Sequence, residues 1–191
     1  MNICVYCGSS SRVKPAFFEA ANYLGRIFAE ENITLVYGAG AVGLMGEVAG
    51  SVLANGGRVK GVIPRFMVEE GWCRNGLEEL YITESMHERK HKMAQMSDAV
   101  VAMPGGCGTL EELLEIITWK QLCLFTKPIV ILNIGGYFDS LVELMQRAVD
   151  ENFMRNEHVR MWTVVNAAED VLPAIRNTPE WDVTYRKFAA I

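Results

Sequence analysis

Two glycine-rich turns, one pair of adjacent cations and one carboxylate carry the chemistry that can be read from this sequence. The run Pro104-Gly105-Gly106-Cys107-Gly108-Thr109-Leu110-Glu111-Glu112 follows an apolar stretch and opens a helical pattern. Glycines at such a place leave backbone N–H groups uncovered, and the helix dipole favours an anion there. Thr109-Leu110-Glu111-Glu112 also matches a capping box, in which Thr109 caps the helix and Glu112 returns to the Thr109 amide. Capping explains Thr109 well. It explains Glu112 less well, because a carboxylate beside a bound phosphate is unfavourable unless it serves another part of the substrate. By spacing, Glu112, Glu115 and Trp119 share one face of that helix, so Glu112 is assigned to chemistry.

Arg89 and Lys90 lie in a segment where Met86, Met93, Ala94 and Met96 define the apolar arc at 100° per residue. Both cations fall inside that arc, while Glu88, His91 and Gln95 face away. Buried-side cations require an anion, with snorkelling to the rim as the alternative. The second glycine run, Gly38-Ala39-Gly40-Ala41-Val42-Gly43, matches the dinucleotide fingerprint by letter and context. That fingerprint also requires an acid about 20 residues on, at the end of the next strand. Here the strand ends Val62-Ile63-Pro64, which disfavours nicotinamide or flavin binding. Direct phosphate contact and a tight turn packing helix against sheet both remain open for this run.

Other candidates are weaker. Cys4-Val5-Tyr6-Cys7 has redox spacing, but Cys4 falls within a strand rather than at a helix start. His87, His91 and His158 show no ligand partnership, so no metal is expected, and no cofactor is called for. A pyridoxal-phosphate decarboxylase needs a Schiff-base lysine, and Lys90 is better explained by an anion. Cys107 sits among exposed amides with no histidine placed to activate it.

Short apolar runs alternate with helical patterns, the signature of an α/β, Rossmann-like, doubly wound domain with a mostly parallel central sheet. Strands are expected at Asn2–Tyr6, Thr34–Tyr37, Arg58–Ile63, Ala99–Met103, Pro128–Ile134 and Met161–Val165. Helices are expected over Pro15–Glu31, from the first glycine turn to about Ala54, from Ser85 to about Ser97 and from Thr109 to about Phe125. Two more follow, over Tyr137–Asp150 and near Ala167–Arg176. Residues 65–84 read as irregular.

The chain of 191 residues suits one domain over 1–191. Lys plus Arg number 18 against 23 Asp plus Glu, with no long basic run, which argues against a nucleic-acid partner. No apolar run approaches the roughly 18 residues of a membrane span. Five scattered cysteines and an N-terminus without a basic leader point to a reduced, cytoplasmic setting. Half of the residues are hydrophobic, a slight surplus for a lone monomer. Ten Met residues contribute much of it, and Leu113, Leu114, Ile116, Ile117, Leu122 and Leu124 on the long helix add to it.

Met86-His87-Glu88-Arg89-Lys90 followed by the Pro104–Glu112 run resembles the paired signature of the LOG (Lonely Guy) family. These are cytokinin riboside 5′-monophosphate phosphoribohydrolases, long labelled lysine decarboxylases. Cys7-Gly8-Ser9-Ser10, Gly43-Leu44-Met45-Gly46, Ile117-Thr118-Trp119 and Lys127-Pro128 extend the resemblance over nearly the whole chain. It implies Arg89 and Glu112 as the catalytic pair. Substrate contacts are implied from Glu70, Lys90, Gly105, Gly106, Cys107, Gly108, Thr109, Glu111, Glu112 and Thr118, alongside Arg89. Cys107 departs from the tyrosine usual at its place. The resemblance further implies a homodimer that splits the N-glycosidic bond of an adenine-type nucleoside 5′-monophosphate, a cytokinin nucleotide or AMP. A non-catalytic nucleotide or cofactor carrier on the same scaffold is the alternative, and it would need the glycine cradle but not Glu112.

Overall fold

In the computed structural model, which describes residues 1–188, the alternating pattern folds into seven strands and the helices between them. The strands are β1 (Asn2–Tyr6), β2 (Thr34–Tyr37), β3 (Arg58–Pro64), β4 (Glu79–Thr83), β5 (Ala99–Ala102), β6 (Ile129–Leu132) and β7 (Thr163–Val165). The helices are α1 (Pro15–Glu30), α2 (Gly43–Ala54), α3 (Arg65–Glu69), α4 (Met86–Gln95), α5 (Cys107–Gln121), α6 (Asp139–Asp150) and α7 (Val171–Asn177). Residues 189–191 of the expected domain lie outside the described residues.

The sheet runs β4-β3-β2-β1-β5-β6-β7, and all six pairings are parallel. Strand order reverses at β1, whose neighbours are β2 on one side and β5 on the other. The crevice beyond the carboxyl ends of β1, β2 and β5 is therefore the switch point at which such sheets take ligands. The central strands are β-branched and buried on both faces, as parallel strands under two helical layers must be. One core packs α1, α2 and α7 on the sheet, through residues such as Leu24, Val48 and Leu172. The other packs α4, α5 and α6, through Met93, Leu113, Ile116 and Met145.

The sheet departs from the sequence reading at one edge. Residues 65–84, expected to be irregular, contain α3 and β4. An edge strand has one neighbour, and Glu-Leu-Tyr-Ile-Thr carries too mixed a pattern to show a buried face. Its Glu79 pairs with Lys60 of β3 at 3.1 Å, an ion pair that depends on the parallel register. The apolar stretch on and after α5 also divides. Leu113, Ile116 and Ile117 are buried core, leaving Leu114, Leu122 and Leu124 exposed.

Candidate active site

α4 begins as its sequence predicts, with Ser85 Oγ accepting the Glu88 amide at 3.1 Å. The Glu88 carboxylate reaches one residue further back than a standard box, to the Glu84 amide at 2.9 Å. The helix so fixed presents Arg89 and Lys90 to the interior at 6% and 4% exposure, which excludes snorkelling.

Their anions come from α5. Arg89 Nη1 lies 3.4 Å from Glu112 Oε1, and Lys90 Nζ lies 3.1 Å from Glu115 Oε2 and also pairs with Glu111. Glu111 and Glu115 are one helical turn apart, so they clasp one ammonium between them. Arg89 is further anchored by two backbone carbonyls: Nε donates to Val62 O at 3.1 Å and Nη2 to Gly38 O at 3.3 Å. Burial pushes the Glu112 carboxyl up to about 7, with the Arg89 charge opposing the rise and Glu111 adding to it. Near neutral pH this carboxyl is divided between its two protonation states, as a group that handles protons or developing charge requires.

α5 starts at Cys107, with Gly106 as its N-cap and no capping side chain. This corrects the capping-box reading: Thr109 lies inside the first turn, buried, and does not cap. Its Oγ1 occupies the space that a side chain at Gly105 would need, 2.0 Å from where that Cβ would sit. Glu112 likewise does not turn back to the Thr109 amide but faces Arg89. At Gly106 and Gly108 a Cβ would meet nothing within 4 Å, so these glycines open the helix start to solvent. The loop is held from both sides, by Gly8 N–H donating to Pro104 O at 3.0 Å and by Tyr137 Oη donating to Gly105 O at 2.6 Å. The result is an uncapped helix start beside a buried Arg–Glu pair, a cradle for an anion.

Gly105→Ala would drive a methyl into Thr109 and the Gly8 amide. We expect it to destabilise the fold by about 2 kcal/mol, read by urea unfolding. Wild-type stability would contradict the packing.

Cys107 is exposed at the helix start. Thr118 is exposed nearly two turns beyond Glu112, with its hydroxyl donating to Leu114 O at 2.8 Å. Glu70 is exposed where α3 ends. Among the described residues, neither Glu70 nor Thr118 has a hydrogen bond or ion pair to Arg89, Lys90 or Glu112. The sequence reading places Glu115 on the Glu112 face but misses its pairing with Lys90, which the spacing of Glu111 and Glu115 signals. Nothing local marks Tyr137. Burial pushes the Cys4, Cys7 and Tyr6 groups well up, so the Cys4–Cys7 spacing holds protonated thiols under Glu112 rather than a redox pair. No group of residues fit to hold a metal occurs among the described residues.

Residues 45–175 match the family model described as possible lysine decarboxylase. The chain is 45% identical over 181 residues to the cytokinin riboside 5′-monophosphate phosphoribohydrolase LOG7 of Arabidopsis thaliana, covering 94% of this chain and 83% of that protein. It is 42% identical to the cytokinin riboside 5′-monophosphate phosphoribohydrolase LOG of Oryza sativa subsp. japonica, covering 95% and 75% respectively. Its fold is similar to that of the molybdenum cofactor binding protein from Rippkaea orientalis, with a TM-score of 0.68 at 20% identity over 92% of this chain and 94% of that one. At that identity the likeness is one of fold.

The decarboxylase description fits neither of the lysines buried among the described residues, Lys90 and Lys120. A pyridoxal-type reaction needs an accessible lysine that can lose its proton. Burial works against the charge of Lys90, but its bonds to Glu111 and Glu115 outweigh burial and hold its pKa above the ordinary value. Burial lowers Lys120 to about 8, yet that amine is 1% exposed, donates to Lys127 O at 2.9 Å and lies under Trp181. The model match over more than half of the chain and the 42–45% identity to these relatives give one conclusion: this chain belongs to the LOG family, the phosphoribohydrolases whose sequence model carries the decarboxylase description.

Proposed function

We propose that this protein hydrolyses the N-glycosidic bond of an adenine-type nucleoside 5′-monophosphate, giving free base and ribose 5-phosphate, within one domain spanning 1–191. The observation that carries this reading is the buried Glu112 carboxyl, held against Arg89 beside the uncapped start of α5. The relatives' names supply the substrate class, a cytokinin riboside 5′-monophosphate.

Cleavage of the bond to the base builds positive charge on the ribose, as in other glycosyl transfers through oxocarbenium-like transition states. The Glu112 carboxylate suits that charge, and it also suits holding a ribose hydroxyl or taking a proton from water. The amides at Cys107 and Gly108, together with Arg89, would hold the 5′-phosphate and so position the sugar. The charge of Lys90 is already met by two carboxylates. Its role is to fix Glu111 and Glu115, and so the face of α5 that carries Glu112. Glu70 and Thr118 are assigned to the substrate by family resemblance. A chain poised for this reaction needs no metal and no organic cofactor.

We further propose a homodimer joined through the exposed Leu114, Leu122 and Leu124. Sedimentation at micromolar concentration is expected to give twice the protomer mass, and a protomer mass would contradict it. The five cysteines, all free, support a cytoplasmic setting. Among the described residues, no helix is long and apolar enough to cross a membrane.

Product analysis tests the reaction. Incubation with a cytokinin riboside 5′-monophosphate or AMP is expected to yield free base and ribose 5-phosphate in equal amounts. Saturable binding with no base released would favour a carrier.

A further inference from the structure

The run Gly38-Ala39-Gly40-Ala41-Val42-Gly43 matches a phosphate-binding fingerprint, but its helix start is already occupied. The Leu44 and Met45 amides both donate to Gly8 O, at 3.0 and 3.4 Å. A Cβ at Gly43, where φ is +63°, would come within 2.3 Å of the Ser9 carbonyl carbon, so this glycine serves the turn. A Cβ at Gly40 would meet the Met45 side chain. Gly38 is different: a Cβ there would lie 1.9 Å from Arg89 Nη2 and 3.1 Å from Arg89 Cζ.

We propose that Gly38 is a positioning residue, whose absent side chain and whose carbonyl form, with the Val62 carbonyl, a seat that holds the Arg89 guanidinium against Glu112. A guanidinium is planar, with its donors in a fixed fork. Anchoring Nε to Val62 O and Nη2 to Gly38 O sets both the depth and the rotation of that plane, which leaves Nη1 facing Glu112. The glycine motif thus binds a cation of the protein's own rather than a phosphate of the ligand. Its connection with turnover rests on the phosphoribohydrolase reading; its geometry does not.

A methyl at Gly38 displaces the end of a flexible side chain, so the arginine head moves while the sheet stays. The groups that act on the Glu112 charge are Arg89 and Lys90 from α4 and Glu111 and Glu115 on its own helix. The neutral Cys4 and Tyr6 of β1, and Cys7 just after it, also sense the Glu112 charge. Of all these only Arg89 crowds Gly38, and its charge favours the carboxylate. Withdrawing it makes Glu112 harder to ionise.

The test compares wild type, Gly38→Ala and the control Gly40→Ala for release of adenine from AMP between about pH 5 and about pH 9. For Gly38→Ala we expect kcat to fall about 10²-fold, with the acid limb of kcat/KM moved to higher pH. Gly40→Ala is expected to keep the wild-type limb. Wild-type kcat in Gly38→Ala, or a lower kcat with the limb unmoved, would overturn the seat. Should Gly38→Ala not fold, the double variant Gly38→Ala/Arg89→Lys decides, because lysine lacks Nη2. Recovery of folded protein supports the seat, and no recovery overturns it. The pH dependence of urea unfolding reads the same displacement without substrate: the fall in stability that begins near the ordinary carboxyl pKa is expected to continue to higher pH in Gly38→Ala than in wild type. A wild type that binds AMP without turnover would count against the functional reading, while the unfolding arm still decides the seat.

Discussion

Glu112→Gln is expected to lower kcat for base release by about 10³-fold, within the span of losses that follow removal of a positioned acid–base group. Glutamine keeps the shape of the side chain and can still accept a bond from Arg89. It can neither balance a positive ribose nor take a proton from water. If, as proposed, the α5 amides and Arg89 hold the 5′-phosphate, KM for the monophosphate is expected to change by less than the loss in kcat. The wild-type pH profile carries the sign of the role. Burial raises the Glu112 carboxyl to about 7, so below that pH the group is mostly protonated in the free protein. A reaction that needs the carboxylate therefore has kcat/KM rising with pH through about 7, and the residual activity of Glu112→Gln is flat across the same range. A wild-type profile that falls through that region would assign Glu112 to proton donation instead.

The second large effect is on stability, and it runs the other way. The Glu112 carboxyl rises from an ordinary 4.5 to about 7 in the fold. Between those values the native state binds more protons at this site than the unfolded chain does, so stability falls as pH rises through the window. Above the window the ionised, buried carboxylate costs about 3 kcal/mol relative to its protonated form. Glu112→Gln resembles the protonated form at every pH. Its stability advantage over wild type in urea unfolding is expected to be near zero at about pH 4 and to grow to about 3 kcal/mol by about pH 8. A difference that does not vary with pH would show that Glu112 is not held against its ionisation. Together the two results describe a site in which stability is given up for function.

How much of this was legible in the sequence depends on how local each signal is. β1, β2, β5 and β6 are runs of β-branched and small apolar residues, and they form the sheet centre where the sequence places them. Arg89 and Lys90 were legible as buried cations because the period of one helix puts them on its apolar arc. β4 was not legible, since its pattern makes sense only beside Lys60 of β3. The start of α5 was misplaced by two residues. Thr109 has the letters of a cap, but Gly106 has the extended backbone that ends the turn, and the Thr109 hydroxyl is needed against Gly105. The first glycine run was the least legible part, because its meaning depends on an arginine 51 residues away. The sequence of the run shows the small residues but not what they make room for.

The dependence of base release on the 5′-phosphate tests the proposed function most directly. Wild-type protein assayed on AMP and on adenosine, with free adenine as the readout, is expected to favour the monophosphate in kcat/KM by on the order of 10²-fold or more. In the proposed mechanism, binding energy from the phosphate, held at the α5 start and by Arg89, places the ribose against Glu112. Equal kcat/KM on adenosine would contradict a phosphate-anchored phosphoribohydrolase.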